Sequence, residues 1–104
     1  MSDIALLHAT FADRAEAKRI AETVLAERLA ACVNILAPCR SLYRWQGQIE
    51  RSDEVPALFK TTPMLARRLH DRIAELHSYD LPVIETWPVA VDKQVAAWIA
   101  AETG

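Results

Sequence analysis

Apolar and polar positions in the first third of the chain predict a strand followed by a helix. Residues 4–8 form a short apolar run, which is typical of a buried strand. Asp13 followed by Glu16 is typical of a capping box, in which the Glu16 carboxylate would reach back to the Asp13 amide. The helix is expected to continue to about Leu29, because apolar residues recur at helical spacing at Ala17, Ile20, Ala21 and Val24.

Residues 32–61 are predicted to form one long β-hairpin around a turn at Gln46-Gly47. Each run beside this turn has 14 residues, so a strand there would reach about 45 Å. A compact domain of this length has a radius of gyration of only about 13 Å. The hairpin is therefore expected to project beyond its own domain. Because an uncovered strand edge pairs readily with another chain, the pattern predicts an oligomer.

Two prolines, Pro38 and Pro56, are predicted to interrupt this hairpin at one level. Proline cannot donate a hydrogen bond to the ladder, so the ladder should kink or break there. The break would divide the hairpin into a base and a protruding arm, Cys39–Glu54. A two-residue turn sets the expected register, which pairs Arg40 with Asp53, Tyr43 with Glu50, Pro38 with Val55 and Ala37 with Pro56.

The remaining pattern completes an α+β domain. Thr62-Pro63 predicts the start of a helix that runs to His77, since a hydroxyl residue and then proline suit its first positions. Residues 83–87 read as a strand closed by Pro88, and Asp92 would cap a short last helix. The order of elements predicts a ferredoxin-like βαββαβ sandwich with a long hairpin between its second and third strands and a short C-terminal helix. Residues 1–104 form one domain in this interpretation.

Composition and charge bear on partners and compartment. The net charge is −2 and the lysines and arginines are scattered, which argues against nucleic-acid binding. No apolar run approaches the roughly 20 residues of a membrane span, and no signal peptide is visible, so we expect a cytoplasmic protein without a membrane partner. Cys32 and Cys39 would point to opposite faces of one regular strand, unless a bulge at Pro38 shifts the phase. This predicts two buried or half-buried free thiols in a reducing compartment.

Enzymatic motifs do not occur in the sequence. There is no G-x-S-x-G elbow, no P-loop and no H-E-x-x-H helix. The segment 8–13 has neither the glycine nor the arginine that a phosphate-binding loop of an acylphosphatase would need. The aromatic, glycine-rich strand motif of an RNA-recognition module is also absent. We therefore expect neither catalysis nor an organic cofactor.

Several ordered blocks resemble the CutA family of divalent-cation tolerance proteins, over roughly Ile4 to Trp98. The resemblance implies a ferredoxin-like homotrimer whose long hairpins pair across subunits. It also implies tolerance to divalent metals, chiefly copper, and an architecture similar to the PII signalling trimers. The blocks that carry the resemblance are Arg28–Ile35, Ser41-x-Tyr43-x-Trp45-x-Gly47-x-Ile49, Glu54-Val55, Lys60-Thr61 and His77-x-Tyr79-x-x-Pro82.

His77 is the leading candidate metal ligand, because it lies in the block that resembles the metal-associated His-Pro-Tyr segment of the family. The competing interpretation is that His77 caps the end of its helix. His8 is the second candidate, since it lies beside Ala9, where the family has a cysteine at the end of the first strand. Imidazole is a suitable ligand for Cu(II). No local spacing of histidines or cysteines makes a preformed site, so the ligands must meet through tertiary or inter-subunit contacts.

An alternative function is a PII-like trimeric scaffold that binds a small anion in the cleft between subunits. Lys60 and Asn34 would hold the anion, because the assumed register sets Lys60 near Val33 and a capped helix follows it. Tyr79 and Trp45 would supply flat walls. The competing interpretation pairs Lys60 with a carboxylate and makes Trp45, with Tyr43, an anchor of the subunit interface.

Overall fold

The computed structural model describes residues 1–104 and confirms the predicted α+β fold. Five strands and three helices follow one another in the expected order, with the first half of the hairpin divided into two strands. A single 3-10 turn, Pro63–Leu65, precedes the second helix. The elements are β1 (Ser2–Phe11), α1 (Arg14–Ala26), β2 (Cys32–Ile35), β3 (Cys39–Trp45), β4 (Gln48–Thr61), α2 (Ala66–Leu76), β5 (Ile84–Val91) and α3 (Lys93–Glu102).

The strands form one antiparallel sheet in the order β2-β4-β1-β5, and β3 continues beside β4. Alternate residues of β1 point into the core, as the two-residue period of a strand requires. They pack against the apolar faces of α1 and α2, which leaves the opposite side of the sheet, here called the open face, uncovered by these two helices. The central core residues are Leu7, Phe11, Ile20, Val24, Phe59, Leu69 and Ile73.

Helix α1 begins as predicted but differs in its cap and its end. The Glu16 amide donates to Asp13 Oδ1 at 2.8 Å, so Asp13 is the N-cap. The predicted return bond to the Asp13 amide is wrong, because Glu16 Oε1 accepts from the Ala12 amide instead, at 3.0 Å. The helix ends at Ala26, before Leu29, since Arg28 takes a left-handed conformation with φ 61° that turns the chain away.

The predicted turn and arm register are confirmed. Gln46 and Gly47 have φ values of 50° and 79°, which is the pattern of a two-residue type I′ turn. Within the arm, Arg40 pairs with Asp53 and Tyr43 with Glu50.

At the base of the hairpin the register shifts by one residue, so the predicted pairing there is wrong. Ile35 faces Ala57 and Cys39 faces Glu54. Three residues, 36–38, therefore lie opposite only two, 55–56. One extra residue on the first strand is the mismatch that a β-bulge produces. The ladder does break at the prolines, as expected. Pro56 faces Thr10 of β1, and its carbonyl accepts a bond from the Leu36 amide at 2.9 Å.

The hairpin arm lengthens the molecule in one direction. The principal extents are 45 × 25 × 23 Å and the radius of gyration is 14.3 Å, above the roughly 13 Å of a compact chain of this length. Strand β1 pairs with β4 only from Val55 onward, so the arm is a two-stranded ribbon with both outer edges free. The predicted projection is therefore present in the single chain.

Strand and helix ends account for the remaining differences. Strand β5 runs to Val91 and passes through Pro88, whereas the sequence predicted that Pro88 would close it. An edge strand tolerates proline because one side of its backbone needs no partner, and β5 pairs only with β1. Thr62 caps the turn before α2 as predicted, but the Asp92 side chain makes no cap bond to α3. None of the three helices is long and apolar enough to cross a membrane.

Candidate functional site

A closed ring of four residues joins three separate elements where the arm leaves the domain. His77 Nε2 lies 2.8 Å from the carbonyl oxygen of Thr10, and the Tyr79 amide donates to His77 Nδ1 at 3.1 Å. The Tyr79 hydroxyl donates to Glu54 Oε2 at 2.9 Å, and the Thr10 hydroxyl donates to the same oxygen at 3.1 Å. We call Thr10, Glu54, His77 and Tyr79 the root ring.

His77 is the most constrained member of the root ring. Its ring stacks on Phe11 with a centroid distance of 4.9 Å and contacts Tyr79 at 4.6 Å. Because Nδ1 accepts from the Tyr79 amide, Nε2 carries the proton and donates to Thr10. Both ring nitrogens are therefore occupied, and His77 could ligate a metal ion only by giving up one of these bonds. Its backbone amide bonds the Ile73 carbonyl at the end of α2, but the imidazole faces Thr10 and no carbonyl of α2, so the predicted side-chain cap is wrong.

Tyr79 and Glu54 form the polar link between the loop after α2 and the root of the arm. Glu54 is buried, with 8% of its surface exposed, and faces Cys39 at the first pair of the arm. Burial of Tyr79, together with its bond to the Glu54 carboxylate and the charge of that group, raises the pKa of the phenol well above its usual range. The tyrosine therefore remains a hydrogen-bond donor at every physiological pH.

Glu16 fixes the same loop from the other side. Its carboxylate accepts bonds from the Ala12 amide at 3.0 Å and from the Ser78 amide at 2.9 Å, and Arg19 lies 3.9 Å away. Burial alone would raise the pKa of this carboxyl group, but the bonds from Ser78 and Ala12 outweigh burial and lower it. The sequence predicted Glu16 only as a capping residue.

The second predicted metal ligand, His8, lies on the open face, two residues before Thr10 on β1, and is not a member of the root ring. It faces Glu85 across β1 and β5, with His8 Nδ1 2.7 Å from Glu85 Oε1. His77 instead stacks on Phe11, a residue of the core face of β1. No group of three or more histidine, cysteine, aspartate or glutamate side chains is placed to hold a metal ion. The donors of one chain therefore do not form a metal centre by themselves.

Only part of the predicted anion site comes together. Lys60 faces Cys32, and the predicted neighbour Val33 faces Phe59 instead, because of the register shift at the base. Asn34 faces Leu58, so Lys60 and Asn34 are diagonal neighbours on the open face. Tyr79 lies near Glu54, which is six residues from Lys60 along β4, or about 20 Å. A carboxylate beside Tyr79 also disfavours an anion there.

The predicted interface residues, Tyr43 and Trp45, lie on one face of the arm. Their side chains are 44% and 47% exposed in the single chain. Tyr43 is held in place by a bond of 3.2 Å from the Ser52 hydroxyl across the ribbon. On the other face of the arm Leu42 and Ile49 are 63% and 60% exposed. The arm therefore presents apolar side chains on both faces.

Thr10, Glu54 and Glu16 are the residues of the site whose roles the sequence did not indicate. Thr10 and Glu54 are 44 positions apart, and Glu16 and Ser78 are 62 apart. No periodicity or motif links such positions, since they meet only when the sheet forms. The blocks Glu54-Val55 and His77-x-Tyr79 were visible in the sequence, but nothing local indicated that they touch.

The comparisons with known proteins agree with this fold from end to end. A family profile described as "CutA1 divalent ion tolerance protein" matches residues 5–102. The divalent-cation tolerance protein CutA of Pyrococcus horikoshii is 40% identical over 99 residues, which are 94% of this chain and 96% of that protein.

Solved structures give the same result. The CutA structure from Xylella fastidiosa superposes with a TM-score of 0.94 at 36% identity, covering 99% of this chain and 100% of that one. A CutA structure from Archaeoglobus fulgidus, described as a periplasmic divalent cation tolerance protein, superposes with a TM-score of 0.91 at 32% identity, covering 97% and 98%. The fold, the sequence blocks and these similarities together establish that the chain belongs to the CutA1 divalent ion tolerance family.

Proposed function

We propose that this chain assembles as a homotrimer that binds a divalent cation, copper above all, and thereby contributes to metal tolerance. The observation that carries the proposal is the projecting arm of a chain that belongs to a divalent ion tolerance family. An isolated two-stranded ribbon is at best marginally stable in water. The arm should therefore be covered by another copy, whose arm carries the same apolar faces and free edges.

Tyr43 and Trp45 are the proposed anchors of this assembly. Aromatic side chains are favoured at the buried centre of interfaces because they bury a large area with few rotatable bonds. Both residues lie on one face of the ribbon, where a neighbouring arm could cover them together. Pairing of free strand edges between arms would satisfy the unpaired backbone groups at the same time.

The His8–Glu85 pair is the proposed nucleus of a metal site. A carboxylate that bonds one imidazole nitrogen fixes the orientation of the ring, and His8 Nε2 remains for a metal ion. Imidazole and carboxylate suit Cu(II) and other divalent ions. Since one chain supplies too few donors, we propose that further ligands come from a second copy or from water. His77 enters as a ligand only if the root ring opens.

The proposed location is the cytoplasm, and the proposed role needs neither catalysis nor an organic cofactor, nucleic acid or a membrane. Cys32 is half-buried as predicted, but Cys39 is exposed, so the predicted burial is wrong for Cys39. Both are free thiols, which a reducing compartment preserves. The Archaeoglobus relative is described as periplasmic, so cell fractionation with an antibody to this chain decides between the compartments. Recovery in the periplasmic fraction would contradict the cytoplasmic location.

A calorimetric titration of chelator-washed protein with Cu(II) tests the metal site. His8→Ala should lower the stoichiometry or affinity of copper binding, and Glu85→Gln should weaken it. His70→Ala is the matched control, because His70 also lies beside a carboxylate, with its Nδ1 3.0 Å from Asp71 Oδ1, but on the exposed surface of α2. Copper binding that is the same in wild type, His8→Ala and His70→Ala would refute the His8 site.

The anion-binding alternative has less support. Lys60 and Asn34 lie together on the open face, but Tyr79 is far from them and donates to a carboxylate. Heating the protein with and without inorganic phosphate tests this alternative. Stabilisation that disappears in Lys60→Ala would favour it over the metal proposal.

A further inference from the structure

The root ring closes directly over His77, and Tyr79 lies between this imidazole and the Glu54 carboxylate. The Tyr79 ring contacts His77 at a centroid distance of 4.6 Å, while its hydroxyl donates to Glu54. We propose that the root ring is a latch: while it is closed His77 cannot bind a metal ion, and a metal ion that binds His77 opens it. The inference rests on the proposed function, in that the ligand is a divalent cation.

The latch follows from the hydrogen-bond capacity of imidazole. A metal ion needs a free lone pair on a ring nitrogen, and the one lone pair of neutral His77 accepts from the Tyr79 amide. The other nitrogen donates to the Thr10 carbonyl. Thr10 lies opposite Pro56 of β4, and the preceding residue, Ala9, is paired with both β4 and β5, so the backbone of β1 is held next to His77. Tyr79 belongs to the loop between α2 and β5 and is the partner that can move.

The part of this loop that follows Tyr79 has few contacts that would oppose opening. Leu81 and Val83 are 69% and 68% exposed, so these two side chains add no core packing between Tyr79 and Ile84, where the chain packs against the core again. The bond from the Ser78 amide to Glu16 anchors the loop on the other side of Tyr79. The expected motion is therefore a local displacement that begins after Ser78.

Opening would release two metal-binding groups together. When Tyr79 leaves, His77 Nδ1 loses its donor and the Glu54 carboxylate keeps only the bond from Thr10. An imidazole nitrogen and a carboxylate oxygen form a donor pair that suits Cu(II) and Zn(II). Glu54 is also the residue at which β4 enters the arm. Metal binding at His77 would thus be coupled to the conformation of the arm root, where the subunits are proposed to meet.

One variant loosens the latch without removing a metal ligand. Tyr79→Phe removes the bond to Glu54 but keeps the aromatic contact. Thr23→Val is a control away from the latch, because it removes a hydroxyl bond of 2.8 Å to the Arg19 carbonyl on the exposed side of α1. The probe is Cu(II) alone, titrated into full-length, chelator-washed protein.

The latch predicts that Tyr79→Phe binds copper about tenfold more tightly than wild type, as expected when opening costs one hydrogen bond fewer. Thr23→Val should match wild type. The gain should vanish when His77→Ala is added to Tyr79→Phe. In wild type, copper should also speed hydrogen exchange at the Tyr79 amide, a readout that does not depend on any variant folding.

The outcomes separate the latch from the proposed function. Unchanged affinity in Tyr79→Phe, together with unchanged exchange at the Tyr79 amide, overturns the latch even if copper still binds through His8. Copper that binds Tyr79→Phe through His77 but does not bind wild type supports the latch and counts against the proposed function. Copper that binds none of these proteins contradicts both proposals.

Discussion

Arg28 and Gly104 bind each other through two hydrogen bonds. Arg28 Nε donates to the Gly104 oxygen at 3.1 Å, and the Gly104 amide donates to the Arg28 carbonyl at 2.9 Å. The guanidinium also reaches the Ala101 carbonyl at 2.9 Å, near the end of α3. Arg28 makes these contacts from a left-handed backbone conformation with φ 61°. Arg28, which turns the chain after α1, therefore also holds the end of α3 in place by hydrogen bonds.

Two substitutions of Arg28 distinguish the strain of its left-handed backbone from the stabilisation that its side-chain hydrogen bonds provide. Arg28→Ala loses the two side-chain bonds and retains the left-handed strain, whereas Arg28→Gly loses the same two bonds and relieves the strain. We expect Arg28→Ala to have the lower free energy of unfolding, by about 1 kcal/mol. Urea titrations at equal protein concentration measure the difference. Equal stability of the two variants would show that the φ of Arg28 carries no strain.

The Glu16 carboxylate should stabilise the fold in a pH-dependent way. Its pKa is lowered below the ordinary 4.5, so its contribution is present above pH 4.5 and is lost as the pH falls through the lower folded-state value. In Glu16→Gln an amide group replaces one oxygen and faces a backbone N–H. We expect a loss of about 1–3 kcal/mol at neutral pH, and the gap to wild type should narrow below pH 4.5.

Glu22→Gln is the matched control for the comparison of the unfolding free energies of Glu16→Gln and wild type. Glu22 lies on the same helix with 67% of its side chain exposed, and its nearest cation, Lys18, is 3.9 Å away. An exposed ion pair of this kind contributes little to stability. If the two variants lose the same stability at neutral pH, the buried bonds of Glu16 to Ala12 and Ser78 are not responsible for the effect.

Tyr79 should make stability fall in alkaline solution. Its pKa is raised above the ordinary value of 10.0, so its contribution is present below pH 10 and is lost as the pH rises through the folded-state value. Tyr79→Phe should lower the free energy of unfolding by about 1–2 kcal/mol at neutral pH and show a weaker decline above pH 10. Denaturant titrations at pH 8 and above measure both. Parallel declines in wild type and variant would contradict the buried phenol–carboxylate bond.

Trp45 should matter for assembly and little for the fold of one chain. It is half exposed on the arm and outside the core, so Trp45→Ala should weaken the oligomer while the circular dichroism of the helices stays unchanged. Met64→Ala is the control, because Met64 is 90% exposed away from the arm. Sedimentation velocity over a range of concentrations measures dissociation. An oligomer equally stable in both variants would remove Trp45 from the proposed interface.

Local chemistry explains which parts of the fold could be predicted. The turn at Gln46-Gly47 sets the arm register by itself, and the Asp13 and Thr62 caps lie within three residues of the amides they bind. The strand register at the base of the hairpin could not be predicted from local sequence. Whether Pro38 sits in a ladder or in a bulge depends on how β4 pairs with β1, which is a property of the whole sheet.

The site was predicted less well, because its bonds join distant parts of the chain. The role of His77 as a metal ligand stays a prediction. Its hydrogen-bond partner Thr10 is 67 positions away, and no spacing rule connects a loop after α2 with the end of β1. His8 and Glu85 face each other only because β5 pairs with β1 in one particular register. A single residue of slippage would have placed His8 on the core face.

Native mass spectrometry distinguishes a copper-binding trimer from a monomer and from a trimer without copper. The protein is washed with a chelator and measured before and after a stoichiometric addition of Cu(II). We expect a mass of three times 11.7 kDa that gains a fixed number of copper ions per trimer. A monomer would contradict the argument from the free edges of the arm, and a trimer that takes up no copper would contradict the metal-binding function.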